Sequence, residues 1–251
     1  RLAASLGEMK ALPLKAGQLL SYINESVPEE YRHVYAEVLG NLQAHTKAVK
    51  YEHVEEVFVE ELQKTPLEVF AHFDRVPLAA ASIGQVHRAR TNDGREVVVK
   101  IQYPGVAEAI ASDLENVELI ISAMKAMLPK SDIEHIAEDA MARLNEECDY
   151  LHEAASQQAF VRCWQGDAEV VVPQVLPEYS TRRVLVMEYV GALSWQEMLA
   201  QASDEQKSHF GRVIFRFVFQ SLYGYGMFNA DPHPGNYLFY PDGRVAFIDY
   251  G

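Results

Sequence analysis

The chain ends in a short predicted hairpin flanked by polar residues, "FNADPHPGNYLFYPDGRVAFIDYG", residues 228–251. Two apolar runs lie on either side of Pro241-Asp242-Gly243, a turn sequence typical of two short antiparallel strands. Asp231 and Asn236 are five positions apart before the first run, and Asp249 lies thirteen positions after Asn236. A chain with this ending is predicted to place an Asp and an Asn across a hairpin from a second Asp.

A second hairpin is predicted in "ASIGQVHRARTNDGREVVVKIQYPG", residues 81–105. Apolar and β-branched residues lie on both sides of Asn92-Asp93-Gly94, a turn sequence that favours positive φ. Because side chains alternate along a strand, Lys100 shares its face with Val98, opposite three further apolar residues. One lysine therefore stands in an otherwise apolar strand.

Two interpretations of Lys100 are open at this point. A lysine on an edge strand can extend its ammonium group into solvent, and the general habits of lysine favour that interpretation for the strand alone. The preceding segment favours another, because the small-residue loop Ala79-Ala80-Ala81-Ser82-Ile83-Gly84 allows the backbone to approach a bulky anion. Protein-kinase-like folds hold the phosphates of ATP with such a loop and a strand lysine.

Helices are predicted over most of the remaining chain from apolar residues at three-to-four spacing. The predicted helical regions are 2–70, with a last short helix from Pro66, then 106–128, 131 to about 164 behind a Ser131/Glu134 capping box, 195–202 and 206–225. Residues 169–190 are predicted to form two strands separated by a polar turn. The pattern indicates a protein of mixed helices and strands.

Several acidic residues lie in "NEECDYLHEAA" of the long predicted helix. At about 100° per residue, Asp149 and Glu153 share a face of that helix and Glu147 does not, so one lysine cannot pair with all three. Lys15, with Gln18 three residues later, is a second lysine that can pair with these acids. The alternatives are a solvated acidic helix face and, for Lys15, plain helix surface.

The C-terminal segment has the remaining groups that phosphoryl transfer requires. In protein-kinase-like catalysis a carboxylate lies near the attacking hydroxyl, an Asn five positions later holds a metal, and an Asp beyond a hairpin links the metal to the phosphates. Asp231, Asn236 and Asp249 have this order and spacing. Asp231 with His233 is also compatible with a transition-metal site or an acid/base pair, although a lone Asp-x-His is a weak signal. We expect His233 to contact the backbone of its own loop instead.

Composition and missing motifs argue against other classes of function. The net charge is 22 − 36 = −14, which disfavours a broad nucleic-acid surface because phosphate binding needs clustered Lys and Arg. The two cysteines form no Cys-x-x-Cys pair, and charged residues interrupt the longest apolar run, so no zinc site, disulfide framework or membrane span is predicted. The chain also lacks a Gly-x-Ser-x-Gly elbow and a P-loop motif.

Together these residues resemble the UbiB family of atypical kinase-like proteins, also called the aarF-domain family. The matches follow the family's order: Lys15-Ala16-Gly17-Gln18 resembles its Lys-x-Gly-Gln motif, residues 79–86 its Ala-rich loop, residues 97–100 its strand lysine, Glu147-Cys148-Asp149 its Glu-x-Asp motif, residues 231–236 its catalytic loop and residues 249–251 its metal-binding motif. Tyr250 replaces the usual Phe of the last motif, which changes a packing residue and leaves the metal ligand in place.

The resemblance implies a role for each matched residue. It implies that Asp231 occupies the catalytic-base position, that Lys100 contacts the phosphates and that Asn236 and Asp249 hold Mg²⁺. The implied nucleotide contacts are Ala80, Ala81, Ser82, Val86 and Lys100, with Met187, Glu188 and Val190 at the hinge beside adenine. Implied ion-pair and regulatory residues are Glu153, as the partner of Lys100, and Lys15 and Gln18, which would meet Glu147 and Asp149.

The resemblance also implies an α+β, two-lobed protein-kinase-like fold. Residues 1–75 would form a helical N-terminal extension, residues 76–190 an N-terminal lobe with inserted helices, and residues 191–251 the start of a C-terminal lobe. Because the chain starts at Arg1 and stops at Gly251, we expect a fragment with a truncated C-terminal lobe, whose missing ends can carry targeting or anchoring signals.

The implied function is that of an ATP- and Mg²⁺-dependent atypical kinase or ATPase that supports ubiquinone or other isoprenoid-lipid metabolism, not general protein phosphorylation. The expected partners are a nucleotide, a lipid or small phenolic or isoprenoid molecule and a membrane surface, but no nucleic acid. The expected location is cytoplasmic or peripheral to the membrane in a bacterium, and mitochondrial or plastid in a eukaryote.

Two alternatives stay open. A non-catalytic nucleotide-sensing scaffold would not need Asp231, and a small-molecule phosphotransferase of the aminoglycoside-kinase type would not need residues 15–18.

Overall fold

The computed structural model describes residues 49–81, 83–110, 146, 148–229 and 233–250. The helices named in this part of the chain are α1 (Tyr51–Leu62), α2 (Pro66–Val69), α3 (Tyr150–Trp164), α4 (Trp195–Gln201) and α5 (Asp204–Tyr225), and residues 106–110 are also helical. The strands are β1 (His72–Phe73), β2 (Ala79–Ala80), β3 (Gly84–Arg90), β4 (Glu96–Gln102), β5 (Val170–Val171), β6 (Val184–Glu188), β7 (Tyr237–Phe239) and β8 (Val245–Phe247). Short 3₁₀ turns occur at Pro177–Tyr179 and Pro234–Asn236.

The chain divides into two compact units, each made of separate segments. The first unit comprises Arg1–Gln63, Asp74–His87 and Lys100–Cys148, and the second comprises Lys64–Phe73, Arg88–Val99 and Asp149–Gly251. Strands β3 and β4 contribute residues to both units. The domain boundaries expected from the order of the motifs stay a prediction.

The larger sheet has five strands, in the order β1-β3-β4-β6 with β2 also paired to β3. The hairpin predicted around Asn92-Asp93-Gly94 is confirmed: it joins β3 to β4 through residues 91–95. The amide of Thr91 donates to the carbonyl of Arg95 at 3.0 Å, and Gly94 has φ of 91°, which suits glycine because it has no Cβ. Turn chemistry therefore determines where this hairpin reverses.

The smaller sheet has three strands in the order β5-β8-β7. The predicted C-terminal hairpin is confirmed, with β7 and β8 antiparallel and Tyr237 opposite Phe247. Gly243 in its turn has φ of 99°, and a Cβ there would lie 3.0 Å from Nε2 of His209. Strand β5 runs parallel to β8, with Val170 opposite Val245.

An aromatic core lies in the second unit against helix α5. Phe217 on α5 stacks on Phe247 of β8, with ring centroids 3.6 Å apart, and the ring of Trp164 lies 5.4 Å from Phe217. Trp164 also donates its indole N–H to the hydroxyl of Ser221 at 3.0 Å, which satisfies both buried polar groups. Full burial of each such ring contributes roughly 1.5–3 kcal/mol, so this cluster holds the C-terminal hairpin against α5.

Local capping residues set the ends of α5. Ser203 and Gln206 form a capping box at its start, and Gly226 ends it in the left-handed conformation with φ of 67°. The helix predicted for residues 206–225 is therefore confirmed, with two further residues at its N-terminus. In the part of the chain that the structure describes, none of the helices is both long and apolar enough to cross a bilayer.

Two predicted elements are broken in the structure. The helix expected to run to about residue 164 is interrupted, because Cys148 lies in a turn and Asp149 is extended, with φ −121° and ψ 95°, before α3 begins. The first strand predicted in 169–190 is divided at Pro173, which has no N–H to donate to a strand. Before it β5 pairs with β8, and after it Val175 bridges to Met187.

Candidate functional site

The small-residue loop is built on the pairing of β2 with β3. Ala79 lies opposite Val86 and Ala80 opposite Gln85, and the amide of Ala81 donates to the carbonyl of Gly84 at 2.8 Å. Ala79 and Ala80 are exposed, so the loop presents short side chains and backbone to solvent. Among the predicted nucleotide contacts, Ser82 lies outside the described residues.

Lys100 lies on a central strand. Its strand β4 stands between β3 and β6 in the larger sheet, so the edge-strand interpretation of Lys100 is wrong. The neighbouring Val99 and Ile101 are fully buried, whereas Lys100 is half-buried. The charge of a half-buried lysine on an interior strand needs compensating polar or anionic groups wherever it loses water, because desolvation is costly.

Two buried polar side chains support the loop from β3, and sequence reasoning missed both. The side-chain carbonyl of Gln85 accepts a hydrogen bond from the amide of Val49 at 3.0 Å, just before helix α1. Nε2 of Gln85 lies 3.0 Å from Nε2 of His87, and Nδ1 of His87 lies 2.7 Å from the carbonyl of Asp74. Because an amide nitrogen only donates, the imidazole accepts at Nε2 and donates from Nδ1. Polar residues at alternate positions of a buried strand were the available signal.

The predicted hinge overlaps the end of strand β6, which contains Met187 and Glu188. Met187 and Val190 are buried, with 4% and 9% of their surfaces exposed, whereas Glu188 is exposed. The amide of Tyr189 donates to the carbonyl of Glu96 at 3.0 Å, and the amide of Glu188 donates to the carbonyl of Gln174 at 2.9 Å. These backbone bonds fix the path of the connector at the point where β6 ends.

The acidic residues near the start of α3 have different roles. Asp149 caps the helix by accepting a hydrogen bond from the amide of Leu151 at 2.9 Å, and its carboxylate lies 3.8 Å from Nε of Arg182. Glu153 is buried within the helix, with only 5% of its surface exposed. Asp149 precedes the first turn of α3 as its cap. The prediction that Asp149 and Glu153 share a face of one continuous helix is therefore wrong. Lys15, Gln18 and Glu147 lie outside the described residues.

The C-terminal hairpin places the backbone next to Asp249 beside Asn236. The amide of Ile248 donates to the carbonyl of Asn236 at 3.1 Å, so the residue before Asp249 is bonded directly to Asn236. The side chain of Asn229 also donates to the carbonyl of Asp249 at 2.8 Å, which holds the backbone there. Both predicted metal ligands are half-buried and lie at the same end of β7 and β8. Asp231 lies outside the described residues.

Tyr250 and His233 contribute to the structure of this loop region. The hydroxyl of Tyr250 donates to the carbonyl of Phe247 at 3.0 Å, and its ring packs 4.8 Å from that of Phe160. Burial, followed by the charge of Asp249, raises the pKa of Tyr250. Tyr250 is therefore a packing residue with a satisfied hydroxyl.

His233 accepts a hydrogen bond at Nδ1 from the amide of Gly235 at 3.0 Å, as expected for a residue that contacts its own loop. The described residues contain no group of three or more His, Cys, Asp or Glu side chains able to hold a metal.

Comparison with known proteins identifies the family. Residues 41–251 match the family model of the ABC1 atypical kinase-like domain, so the chain belongs to this family of atypical kinase-like proteins. The resemblance to the UbiB family is thereby confirmed, as is the expected α+β kinase-like fold class.

Individual relatives support the same assignment. The chain is 35% identical over 256 residues to the mitochondrial atypical kinase COQ8 of Saccharomyces cerevisiae, covering all of this chain and 50% of that protein. It is 34% identical over 248 residues to the chloroplastic protein ACTIVITY OF BC1 COMPLEX KINASE 8 of Arabidopsis thaliana, covering 95% of this chain and 32% of that protein.

A solved structure shares the fold. The structure of Rv3197 from Mycobacterium tuberculosis in complex with erythromycin is 34% identical and superposes with a TM-score of 0.75. The match covers 99% of this chain and 62% of that one. The chain thus spans half or less of the length of the two relatives named above.

Proposed function

We propose that this chain forms the nucleotide- and metal-binding part of an ATP- and Mg²⁺-dependent atypical kinase or ATPase. The observation that carries the proposal is the C-terminal hairpin, in which the bond from Ile248 to Asn236 holds Asn236 and Asp249 at one end of the same two strands. Membership of the ABC1 atypical kinase-like family supports a phosphoryl-transfer chemistry for this arrangement.

The donor set at the hairpin fits Mg²⁺. This ion prefers hard oxygen ligands and retains several waters, so one carboxylate and one amide oxygen, completed by phosphate oxygens, are sufficient. Asp249 would supply the carboxylate and Asn236 the amide oxygen. When bound, Mg²⁺ would neutralise phosphate charge, and these two side chains would orient it.

The proposed nucleotide contacts come from several elements. The small residues Ala80 and Ala81 would cover the phosphates, and Lys100 would neutralise them. The connector at Glu188 and Val190 would receive adenine. Met187, which is buried in β6, would line the adenine base. Val86, which lies opposite Ala79, would line the phosphate loop. Asp231 would orient the nucleophile, and Glu153 would pair with Lys100.

We expect the substrate to be a lipid or small phenolic or isoprenoid molecule in ubiquinone or related metabolism. We expect the protein to act near a membrane surface. Lys15 and Gln18, which would meet Glu147 and Asp149 if the family resemblance extends to them, would disfavour a protein substrate. The names of the relatives COQ8 and ACTIVITY OF BC1 COMPLEX KINASE 8, mitochondrial and chloroplastic respectively, are compatible with such a location.

Calorimetric titration with a non-hydrolysable ATP analogue tests the binding site. Lys100→Met should weaken binding at least about tenfold, since it removes a charge-assisted contact. Asp249→Asn should instead remove most of the difference between titrations with and without Mg²⁺, because it removes the metal's carboxylate.

The matched controls are Lys207→Ala, at a half-buried lysine on α5 that lies 3.8 Å from Asp204, and Asp242→Asn in the hairpin turn. Both should bind as the wild type does. Unchanged binding by Lys100→Met and Asp249→Asn together would refute the proposed site.

Turnover in the full-length natural protein separates catalysis from sensing. Asp231→Asn should leave nucleotide binding intact and lower ATP turnover about a hundredfold or more, the usual size of a general-base contribution. Whole-cell quinone content measured by mass spectrometry should fall in parallel. If Asp231→Asn keeps the quinone content while Lys100→Met abolishes it, the protein is a nucleotide-sensing scaffold and not a catalyst.

A further inference from the structure

We propose that Gln102 is a positioning residue that holds the strand bearing Lys100 through a hydrogen bond to the main chain of Cys148, an inference that rests on the nucleotide site proposed above. Gln102 is the last residue of β4, and only 2% of its surface is exposed. Its side-chain Nε2 donates to the main-chain carbonyl of Cys148 at 2.8 Å.

Strand geometry relates Gln102 to Lys100. Side chains two residues apart on a strand point to the same face, so the amide of Gln102 and the ammonium group of Lys100 leave β4 on one side. Displacement of the end of β4 would displace both. The hydrogen bond to Cys148 therefore limits how far Lys100 can move from a productive position.

The acceptor lies at the centre of the acidic motif. Cys148 is buried, with 6% of its surface exposed, and the amide bonded to it comes from a residue 46 positions earlier in the chain. Asp149 follows directly and caps α3 through the amide of Leu151. One buried bond thus ties the residue that precedes the cap of α3 to the strand of the phosphate-binding lysine.

Chemistry favours a glutamine at this position. A buried carbonyl needs a donor, and a neutral amide supplies one without adding a second charge beside Lys100. An apolar residue at 102 would fill the same space and leave the carbonyl of Cys148 without this donor. Gln102→Met therefore removes this hydrogen bond with little change in side-chain volume.

A double-mutant cycle distinguishes positioning from simple packing. Gln102→Met should raise the Kd for an ATP analogue about tenfold in the wild-type background, if the loss of one net hydrogen bond is passed on to the position of Lys100. In a Lys100→Met background it should have almost no further effect, because the residue through which it acts is already gone. Calorimetry on the four proteins gives the coupling.

Ser221→Ala is the matched control. Ser221 is also buried, and its hydroxyl accepts a hydrogen bond from the indole N–H of Trp164 at 3.0 Å. Its removal should lower the thermal stability by a similar amount, but its effect on nucleotide affinity should simply add to that of Lys100→Met. Additive behaviour of Gln102→Met with Lys100→Met would reduce Gln102 to a packing residue and overturn the proposal.

Hydrogen exchange on the wild-type protein gives an answer even if Gln102→Met folds poorly. Binding of the ATP analogue should slow deuterium uptake in peptides covering 100–102 and 148–151 together, because one bond joins them. Slower uptake in the first peptide alone would overturn the positioning role. If Lys100→Met itself leaves nucleotide binding unchanged, the proposed nucleotide site is wrong. This result is distinct from one in which the site is correct and Gln102 has no positioning role.

Discussion

His87 is a fully buried imidazole in strand β3, held between Gln85 and the carbonyl of Asp74. Burial lowers the pKa of His87, and the hydrogen bond and charge of Asp74 oppose this only in part. A protonated ring would also present an N–H to the amide nitrogen of Gln85, so two donors would face each other. The folded protein therefore keeps His87 neutral.

The neutral state of His87 gives stability a defined pH dependence. The unfolded chain takes up a proton near the ordinary pKa of 6.5, and the folded chain does so only at lower pH. The free energy of unfolding should therefore fall as the pH decreases below that value, by at most about 1.4 kcal/mol per pH unit for this group. Urea unfolding at several pH values measures the slope.

His87→Asn tests this assignment, because its amide can donate as Nδ1–H does but does not titrate. The variant should be less stable at neutral pH and should lose this part of the slope. His53→Asn, at an exposed position beside Glu56 on α1, should keep it. A slope that persists in His87→Asn would mean that another group is responsible.

Helix α5 is joined to the start of β5 by a charged cluster in the second unit. Arg216 makes two bonds of 2.7 Å to the carboxylate of Asp167 and one of 3.0 Å to Glu169. Asp167 also accepts the amides of Glu169 and Val170 at 2.9 Å. Its bonds with Arg216, followed by those amides, hold the pKa of Asp167 well below its usual range. The cluster therefore sets where β5 enters the sheet beside β8.

Removal of the charge at Asp167 should lower the stability of this unit. Asp167→Asn should reduce the free energy of unfolding by about 1.5 kcal/mol, since the pair is partly screened by solvent but bidentate. Because the folded pKa is lowered, this contribution is fully present above pH 3.8 and declines as the pH falls toward the folded pKa. Chemical unfolding of both proteins between neutral and acidic pH measures the difference.

Asp242→Asn is a fair control at the same scale, because Asp242 pairs with Arg244 only within its own exposed turn. It should change stability little. An equal loss of unfolding free energy in the two variants would show that any ion pair near the smaller sheet has the same effect. That result would contradict a special role for Asp167.

Net charge acts on the molecule as a whole. The chain carries 36 acidic and 22 basic residues, a formal charge of −14, and this repels polyanions at long range. We expect no binding of labelled single-stranded or duplex oligonucleotides by fluorescence anisotropy, even at about 50 mM salt where such binding is strongest. Saturable binding that weakens steeply with salt would contradict this expectation and indicate a local basic groove.

Much of the local structure was predictable, because its causes are local. Gly94 and Gly243 reverse the two hairpins through positive φ, Ser203 and Gln206 start α5, and His233 bonds to its own loop. Each depends on residues within a few positions, which a reading of the chain can compare directly. The spacing of Asn236 and Asp249 across a hairpin belongs to this group.

Other features depended on partners far along the chain. The break before α3, where the amide of Tyr150 donates to the carbonyl of Arg182, replaces a helix that periodicity alone favoured. Pro173 divides one predicted strand into two parts: β5, which pairs with β8, and Val175, which bridges to Met187. The main-chain partners of Gln85 and Gln102 lie 36 and 46 residues away, so no short motif indicates them.

The sequence by itself determined the family, the two hairpins and the order of the residues proposed for phosphoryl transfer, because motifs and turns are written in neighbouring residues. Only the tertiary structure decided that Lys100 lies on a central strand and that a buried amide two residues later donates to the main chain of Cys148. Strand order and burial arise from the pairing of distant segments. The free energy of that pairing comes from removing apolar surface from water, which no single stretch of sequence can do alone.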